Sequence, residues 1–441
     1  MKIVLIFPRL RYASGDPPLG LAYIASYIKK HSTHDIKIID PLFQEIDYTA
    51  DVYGIYITIT MFSDALKIAE QIKEKNKNAL VVAGGPNTTI LPEETLKNPN
   101  IDVISIGEGE LTFLDIVNNK DNLKKVKGIW YKENGKIVKN PSREPIKNLD
   151  FLPFPAFESL PMEKYIKMWF QLDGVKLKNI RGTNIITSRG CPYNCSFCQP
   201  TLRTIFGNKI RTRSAKNIIE EIIYLKKIFN INSISFEDDT FIFDKKRIYE
   251  LCDLIIKNNL EINWICNVRA NLVEESLLKK MKEAGLKKVA IGIESGSQRI
   301  LDQIYHKQIT LEQIRNAVHI IKKLGLKCRG YFMMGAPTET TAEINQTIEL
   351  AKNLPLDEAM FSITTPLPHT QLYEKTKNLI GKDFKEFDYY KNTVYKLMSS
   401  RKLSYLRRKA ILKFYLSPKR FKSTISELFN PIVLFYKLKR F

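Results

Sequence analysis

Ser188-Arg189-Gly190-Cys191-Pro192-Tyr193-Asn194-Cys195-Ser196-Phe197-Cys198 places three cysteines in one loop, spaced C-x3-C-x2-C, with an aromatic residue just ahead of the last. Three thiolates can hold three irons of a [4Fe–4S] cube and leave the fourth iron open to a substrate or cofactor, which a cluster with four cysteine ligands does not allow. Three inert packing thiols would satisfy the same count, but a Gly/Pro/Asn loop offers no core to bury them in. The reading makes Cys191, Cys195 and Cys198 the metal-ligating, catalytic residues. Cys252, Cys266 and Cys328 fall on helix and strand patterns and read as packing thiols.

Outward from this loop, the chain alternates strands and helices. Strands are expected at 184–188, 233–239, 262–269, 288–295, 328–335 and 358–366, with helices near 215–229, 245–258, 274–284, 310–324 and 341–353 between them. Arg213-Ser214 and Thr310–Gln313 offer N-caps, and Gly285 and Gly325 offer C-terminal stops. Six such units predict a partial (β/α)6 TIM-like barrel over residues 184–375, with its functional groups at the carboxyl ends of the strands. Those ends carry Glu237-Asp238-Asp239, Arg269 and Glu294-Ser295. The acids read either as acceptors for an ammonium or hydroxyl or as helix N-terminal acids favoured by the dipole. Arg269 reads either as a bidentate carboxylate clamp or as half of a surface ion pair. His369 reads as a proton acceptor or as an exposed loop residue.

The first 140 residues show shorter repeats. Apolar runs at 2–8, 36–40, 52–58, 79–83 and 103–107 alternate with helical patterns at 19–30, 64–75, 92–97 and from 110 onward. This is the pattern of a doubly wound, Rossmann-like (flavodoxin-like) parallel sheet, which binds ligands at its strand carboxyl ends. Pro17-Pro18-Leu19-Gly20, Thr58-Ile59-Thr60, Gly84-Gly85-Pro86-Asn87 and Gly107-Glu108-Gly109-Glu110 occupy those ends. Glycines there let a bulky ligand approach the backbone or simply make the turns. A hairpin around Asn134-Gly135 follows. The Pro-rich stretch at 150–155 marks 141–183 as an extended linker, and 376–441 is left as a basic, mainly helical C-terminal region.

Composition narrows the class. A chain of 441 residues with 44% hydrophobic and 26% charged residues is long enough for two or three globular domains. Six cysteines with three in one loop are not a secreted disulfide framework. Residues 1–8 read as a strand and not a signal peptide, and no apolar run approaches the roughly 20 residues of a membrane span. A cytoplasmic location is the expectation. Net charge is +22, and 401–441 carries 12 Lys and Arg against Glu427 alone, interleaved with aromatics. This region reads either as a peripheral membrane contact or as a helical cap that solvates its lysines. Nucleic acid could use the same charge but is not the expected partner.

The cysteine run is similar to the signature of the radical S-adenosylmethionine (SAM) superfamily, and residues 184–373 resemble its barrel. Residues 2–119 resemble the cobalamin-binding domain fused ahead of many such enzymes. The resemblance implies three cofactors: a [4Fe–4S] cluster on Cys191, Cys195 and Cys198, SAM chelated at the open iron, and cobalamin. In the family one electron from the cluster cleaves SAM to a deoxyadenosyl radical. The resemblance places Phe197 over the adenine, Glu237, Asp238 and Asp239 at the SAM amino group, and Glu294 and Ser295 at the adenosyl site. It places Pro18, Gly20, Thr58, Thr60, Gly84, Gly85, Pro86, Gly107, Glu108, Gly109 and Glu110 against cobalamin. The Asp-x-His-x-x-Gly run that sets a histidine on cobalt in other cobalamin domains is absent, which implies a cobalamin held without a protein histidine. Ala336 and Thr338 stand where relatives carry Leu and Gly in Gly-Leu-Pro-Gly-Glu. The activity implied is methylation of an unactivated centre in a small-molecule or lipid-like substrate, fed by an electron donor such as ferredoxin or flavodoxin. A radical cyclase, oxidase or rearranging enzyme shares the same domain pair. A non-catalytic corrinoid-binding protein would not need the cysteine triad.

Overall fold

Parallel strands need crossovers, and the helices read from sequence supply them. The computed structural model describes residues 1–8, 15–175, 177–198, 201–379, 398–418 and 420. The chain divides into two compact units. One comprises Met1–Met168 with Arg189–Pro192 and Pro200–Arg213, and the other comprises Trp169–Ser188, Tyr193–Gln199 and Ser214–Phe441.

The first unit holds β1 (Lys2–Ile6), β2 (Asp35–Ile39), β3 (Val52–Tyr56), β4 (Leu80–Gly84), β5 (Val103–Ser105), β6 (Ile129–Glu133) and β7 (Lys136–Lys139). Their order is β2-β1-β3-β4-β5-β6-β7, and β1 to β5 run parallel. Strand order reverses at β1, which opens the ligand crevice of such sheets between β1 and β3. Val4, Ile6, Tyr53, Ile55, Val81 and Ala83 are buried between the helical layers, as expected of a parallel sheet covered on both faces. The expected hairpin is not separate. β6 pairs antiparallel with β5, so the hairpin extends the sheet. Residues 141–168, expected to be linker, pack on this unit. Leu149, Leu152, Phe157 and Tyr165 are buried, Leu152 sits with Tyr23 and Tyr27, and Tyr165 Oη donates to Asp40 Oδ2 at 2.5 Å. Short 3-10 turns and the helix Met162–Met168 are too brief to print a period on the sequence.

In the second unit the sheet is built from β8 (Gly182–Ile185), β11 (Ser233–Phe236), β12 (Asn263–Val268), β13 (Leu286–Glu294), β14 (Lys327–Met334) and β15 (Glu358–Ile363), in the order β15-β14-β13-β12-β11-β8. Two short strands, β9 (Ser188–Arg189) and β10 (Arg211–Thr212), form a ladder of their own. All pairs in the larger sheet are parallel, giving the curled half-barrel expected. Helix starts follow the caps read from sequence: Ser214 Oγ accepts from Asn217 N, and Thr310 with Gln313 makes a capping box. Gly285 has φ +99°, and any Cβ there would overlap Ile262 O, so only glycine fits this stop.

The amino ends of the strands are filled. Trp169 and Leu172 pack on Ile265 and Ala290, and Trp169 Nε1 donates to Asn184 Oδ1 at 2.7 Å. Lys288 Nζ meets Glu358 Oε1 and Asp173 O, and Arg329 Nε donates to Glu358 Oε2 at 2.7 Å. Burial alone would raise the Glu358 carboxyl, but Arg329 and Lys288 outweigh it and hold the group down at about 2. At the sheet edge, the helix Ser400–Tyr415 covers β15. Arg407 Nε donates to Phe361 O at 2.8 Å, Tyr415 Oη to Ala359 O at 3.2 Å and Arg420 Nε to Leu356 O at 2.9 Å. Among the described residues no helix is long and apolar enough to cross a membrane. Much of the expected C-terminal region, with Phe421, Phe429, Phe435, Tyr436 and Phe441, lies outside the described residues.

Candidate active site

The cysteine loop follows β8 and β9. Cys191, Cys195 and Cys198 form no disulfide and are partly exposed, whereas Cys252, Cys266 and Cys328 are buried. Burial pushes the Cys252 thiol up to about 12 and the Cys266 and Cys328 thiols well above the ordinary value, which keeps these three protonated and inert. From Tyr193 to Cys198 the loop is strapped on two sides. Ser196 N donates to Tyr305 O at 2.9 Å and Leu372 N to Ser196 O at 3.0 Å. Gln371 Nε2 donates to Asn194 Oδ1 at 3.2 Å. Cys198 N donates to Cys195 O at 3.2 Å, turning the chain between two of the thiols. Among the described residues no three His, Cys, Asp or Glu side chains converge on one metal position.

Arg269 follows β12 and is buried. Its Nη1 lies 3.6 Å from Cys195 Sγ, and its guanidinium sits 3.8 Å above the Tyr193 ring. Its Nε is buried without a partner. A planar fork with an unused donor suits a carboxylate. Phe197 meets Tyr305 edge-on, with ring centres 4.9 Å apart. Lys307 Nζ lies 5.8 Å from the centre of the Phe197 ring and donates to Glu294 Oε1 at 2.7 Å. Glu294 ends β13 with φ +66°, where the register against β14 shifts. A glutamate in the left-handed region costs on the order of 1 kcal/mol, and the ion pair with Lys307 helps hold it there.

The acid run divides its roles. Asp238 is fully buried and turned inward, where its carboxylate accepts from Thr187 N at 3.1 Å, Thr187 Oγ1 at 2.9 Å and Ser188 Oγ. Arg247 Nη1 completes the knot on Thr187 O and Oγ1, at 3.0 and 2.9 Å. Asp238 therefore anchors the chain leading into the cysteine loop, and its lone pairs are already engaged. Glu237 and Asp239 stay exposed. Asp239 is pushed up to about 7 by desolvation and by Asp238 beside it. Ser295 is buried, and its Oγ serves Ser297 N and Thr347 Oγ1. His369 is exposed in a turn at φ +65°.

In the first unit the other candidates gather at the carboxyl ends of β1, β3, β4 and β5. Pro18 precedes the helix Leu19–His31, and Gly20 lies in its first turn. Thr58 Oγ1 is 3.2 Å from Thr60 Oγ1. Gly85 caps the short helix that starts at Pro86, at φ +100°, where a Cβ would stand 3.0 Å from Ile57 O. Gly84, Gly107 and Gly109 line the same ends. A Cβ on Gly20 or Gly107 would meet open space. Asn87 Nδ2 and Ser105 Oγ are buried there without partners, as befits donors awaiting an amide-rich ligand. Glu108 is committed elsewhere, and Glu110 by one oxygen only, its Oε2 being buried without a partner. Arg189 Nη1 donates to Glu108 Oε1 at 2.7 Å and Nη2 to Glu110 Oε1 at 2.5 Å, and Arg211 Nη1 donates to Glu108 Oε2 at 3.0 Å. Burial pulls the Glu108 carboxyl up, but these arginines and Ile146 N outweigh it and hold it below its ordinary value.

Lys307, Tyr305 and Arg247 were not singled out in the sequence, and no motif flagged them. Asn87 stood inside the Gly84–Asn87 run and could have been read from it.

Comparison with known proteins agrees with this layout. The radical SAM superfamily matches residues 185–351 and the B12 binding domain matches residues 12–117. An uncharacterized methyltransferase of Pyrococcus horikoshii is 39% identical, over 95% of this chain and 93% of its own. The anaerobic magnesium-protoporphyrin IX monomethyl ester cyclase of Rubrivivax gelatinosus is 28% identical over 89% of this chain and 72% of its own. The radical SAM methyltransferase TsrM of Kitasatospora setae, solved with tryptophan and a SAM analogue, superposes with a TM-score of 0.69 at 14% identity, over 86% of this chain and 76% of that one. That last likeness is one of fold.

Proposed function

Since the chain belongs to the radical SAM superfamily and joins to it a B12-binding domain, we propose that it is a methyltransferase acting on an unactivated carbon or phosphorus centre of a small-molecule or lipid-like substrate. It is an enzyme of the cobalamin-dependent, methyltransferase-like kind, and its cofactors are a [4Fe–4S] cluster, SAM and cobalamin. The observation that carries the methyl-transfer reading is the near full-length likeness to a chain named as a methyltransferase.

Bound to this chain, the cluster supplies an electron to SAM and the cobalamin supplies a methyl group. In this reading Cys191, Cys195 and Cys198 ligate three irons. Arg269 offers its unused Nε edge to the SAM carboxylate, and Glu237 and Asp239 accept from its ammonium. Phe197 covers the adenine, and Glu294 accepts from the ribose. Pro18, Gly20, Thr58, Thr60, Gly84, Gly85, Pro86, Gly107 and Gly109 shape the cobalamin face, with Asn87 and Ser105 as donors. Asp238, Ser295 and Glu108 hold the backbone around these groups, and Glu110 offers its unpartnered Oε2 to the cobalamin face. Tyr193 and Tyr305 wall the loop against water. A small iron–sulfur or flavin protein such as ferredoxin or flavodoxin delivers the electron. Within the basic C-terminal region, the helix Ser400–Tyr415 is the candidate contact with a membrane surface.

The test is anaerobic reconstitution with iron and sulfide, followed by SAM cleavage under a strong reductant and by product mass. Cys195→Ala should abolish SAM cleavage and leave cobalamin uptake intact. A variant that still cleaves SAM overturns the ligand assignment. The likeness to the Rubrivivax cyclase supports a second reading, a radical cyclase without net methylation. A product heavier by one methyl group decides against it.

A further inference from the structure

The helix Ser400–Tyr415 has two unlike faces. Leu403, Leu406, Ala410, Ile411 and Phe414 are buried, and this face covers β15 as described. The opposite face does something the fold does not require. Tyr405, Leu412 and Leu416 are 64%, 52% and 56% exposed, and they share one stripe with the exposed Arg401 and Arg408, since positions four and seven apart recur on the same side of a helix. Lys402 flanks the stripe, also exposed, while Lys413 on that flank is paired with Glu349 at 2.8 Å. The helix carries six Lys and Arg and no acid. Exposed apolar side chains are normal singly and informative in a row. Here the row is framed by guanidinium and ammonium groups, so its partner must be apolar and anionic together.

We propose that this face docks the enzyme on an anionic lipid bilayer, with Tyr405, Leu412 and Leu416 entering the headgroup–acyl boundary and Arg401, Lys402 and Arg408 pairing with lipid phosphates. Apolar depth with basic flanks and no acid is the pattern of helices that lie in the interface plane. An acidic protein would satisfy the charges, but it supplies no reason for three large apolar side chains to stand in water among them. The same composition continues in sequence beyond the helix, where 421–441 holds Lys422, Lys437, Lys439 and Arg440 against Glu427. The proposal deepens the membrane side of the function proposed above and rests on it only for the identity of the substrate. Vesicle binding reads out without SAM cleavage, so the two can fail separately.

The experiment is flotation of the anaerobically reconstituted full chain with vesicles of phosphatidylcholine alone and of an equal mixture of phosphatidylcholine and phosphatidylglycerol. Binding to the mixed vesicles alone, weakened by salt, is expected. Arg401→Gln with Arg408→Gln should weaken it roughly 30-fold, from about fivefold for each basic residue at the surface. Tyr405→Ser with Leu412→Ser and Leu416→Ser should abolish it while SAM cleavage in solution stays unchanged. Equal flotation of variants and parent overturns the assignment of this face. No flotation of the parent overturns the bilayer and leaves an acidic protein as the partner to seek. Leu412→Trp guards against misfolded variants: its added emission should shift to shorter wavelength with the mixed vesicles, and an unshifted spectrum counts against the proposal.

Discussion

Asp238→Asn separates two accounts of one carboxylate. As a SAM contact, Asp238 would influence SAM affinity and little else. As an anchor, it holds Thr187 and Ser188, the residues that lead into Arg189-Gly190-Cys191. Asparagine keeps one acceptor oxygen, enough for Thr187 N and Ser188 Oγ. Its amide nitrogen would face Thr187 Oγ1, which already accepts from Arg247 Nη1 at 2.9 Å. The larger loss is charge, since Arg247 is 6% exposed and is attracted to the Asp238 carboxylate through the buried Thr187 knot. Losing a buried opposite charge costs up to about 3–5 kcal/mol, and relieving the desolvation of Asp238, the largest influence on its carboxyl, returns part of it. A net loss of roughly 3 kcal/mol follows. At about 2–4 °C per kcal/mol for a unit of this size, the melting transition should fall by roughly 6–12 °C. The assay is anaerobic calorimetry of the metal-free chain, with iron per chain after reconstitution and the KM for SAM. Lower Tm and lower iron content are expected, with KM nearly unchanged in whatever fraction loads a cluster. Adding Arg247→Met should restore part of the Tm, because removing both charges is far less costly than removing one. A variant with parental Tm and iron content but a raised KM would refute the anchor.

Two further predictions concern the second unit. Glu339 is buried, with Oε2 accepting from Gly335 N at 2.6 Å and Ala336 N at 2.9 Å, and desolvation pushes its carboxyl up to about 7. Because the folded value lies above the unfolded one, its contribution is fully present below the unfolded value and is lost as pH rises through about 7. Glu339→Gln should therefore match the parent at the acid end and exceed its Tm by an amount that grows as pH rises to about 7 and then levels off, and a Tm difference that does not change with pH would contradict this. Gly182→Ala would drive a methyl into the Trp169 ring. Overpacking should cost about 1–3 kcal/mol and alter the Trp169 fluorescence, and an unchanged melt would show that the segment before β8 is loosely seated.

The order of strands and helices was legible because each apolar run of about five residues alternates with a helical period, and all six barrel strands lie within a few residues of where they are expected. Candidate positions were legible as well, since strand carboxyl ends are sequence features. What sequence could not show is which way a side chain turns. Asp238 and Asp239 are neighbours with opposite fates, one buried on Thr187 and the other exposed. Glu108 and Glu110 look available until Arg189 and Arg211, distant in the chain, close on them. Lys307 had no pattern to announce it, because its meaning comes from Glu294 and Phe197 across the fold. Residues 141–168 read as linker in sequence because proline-punctuated turns bury side chains without any repeat.

The unclosed barrel has one more consequence. A strand with no neighbour on one side is an invitation for another chain to add itself there. The usual remedy is to close the ring, which would fix the width of the interior. Here Arg407, Tyr415 and Arg420 take up carbonyls along and beside β15 from outside the sheet. The protein thus keeps an incomplete cylinder whose last strand is occupied by its own side chains and offers no adhesive border on that side.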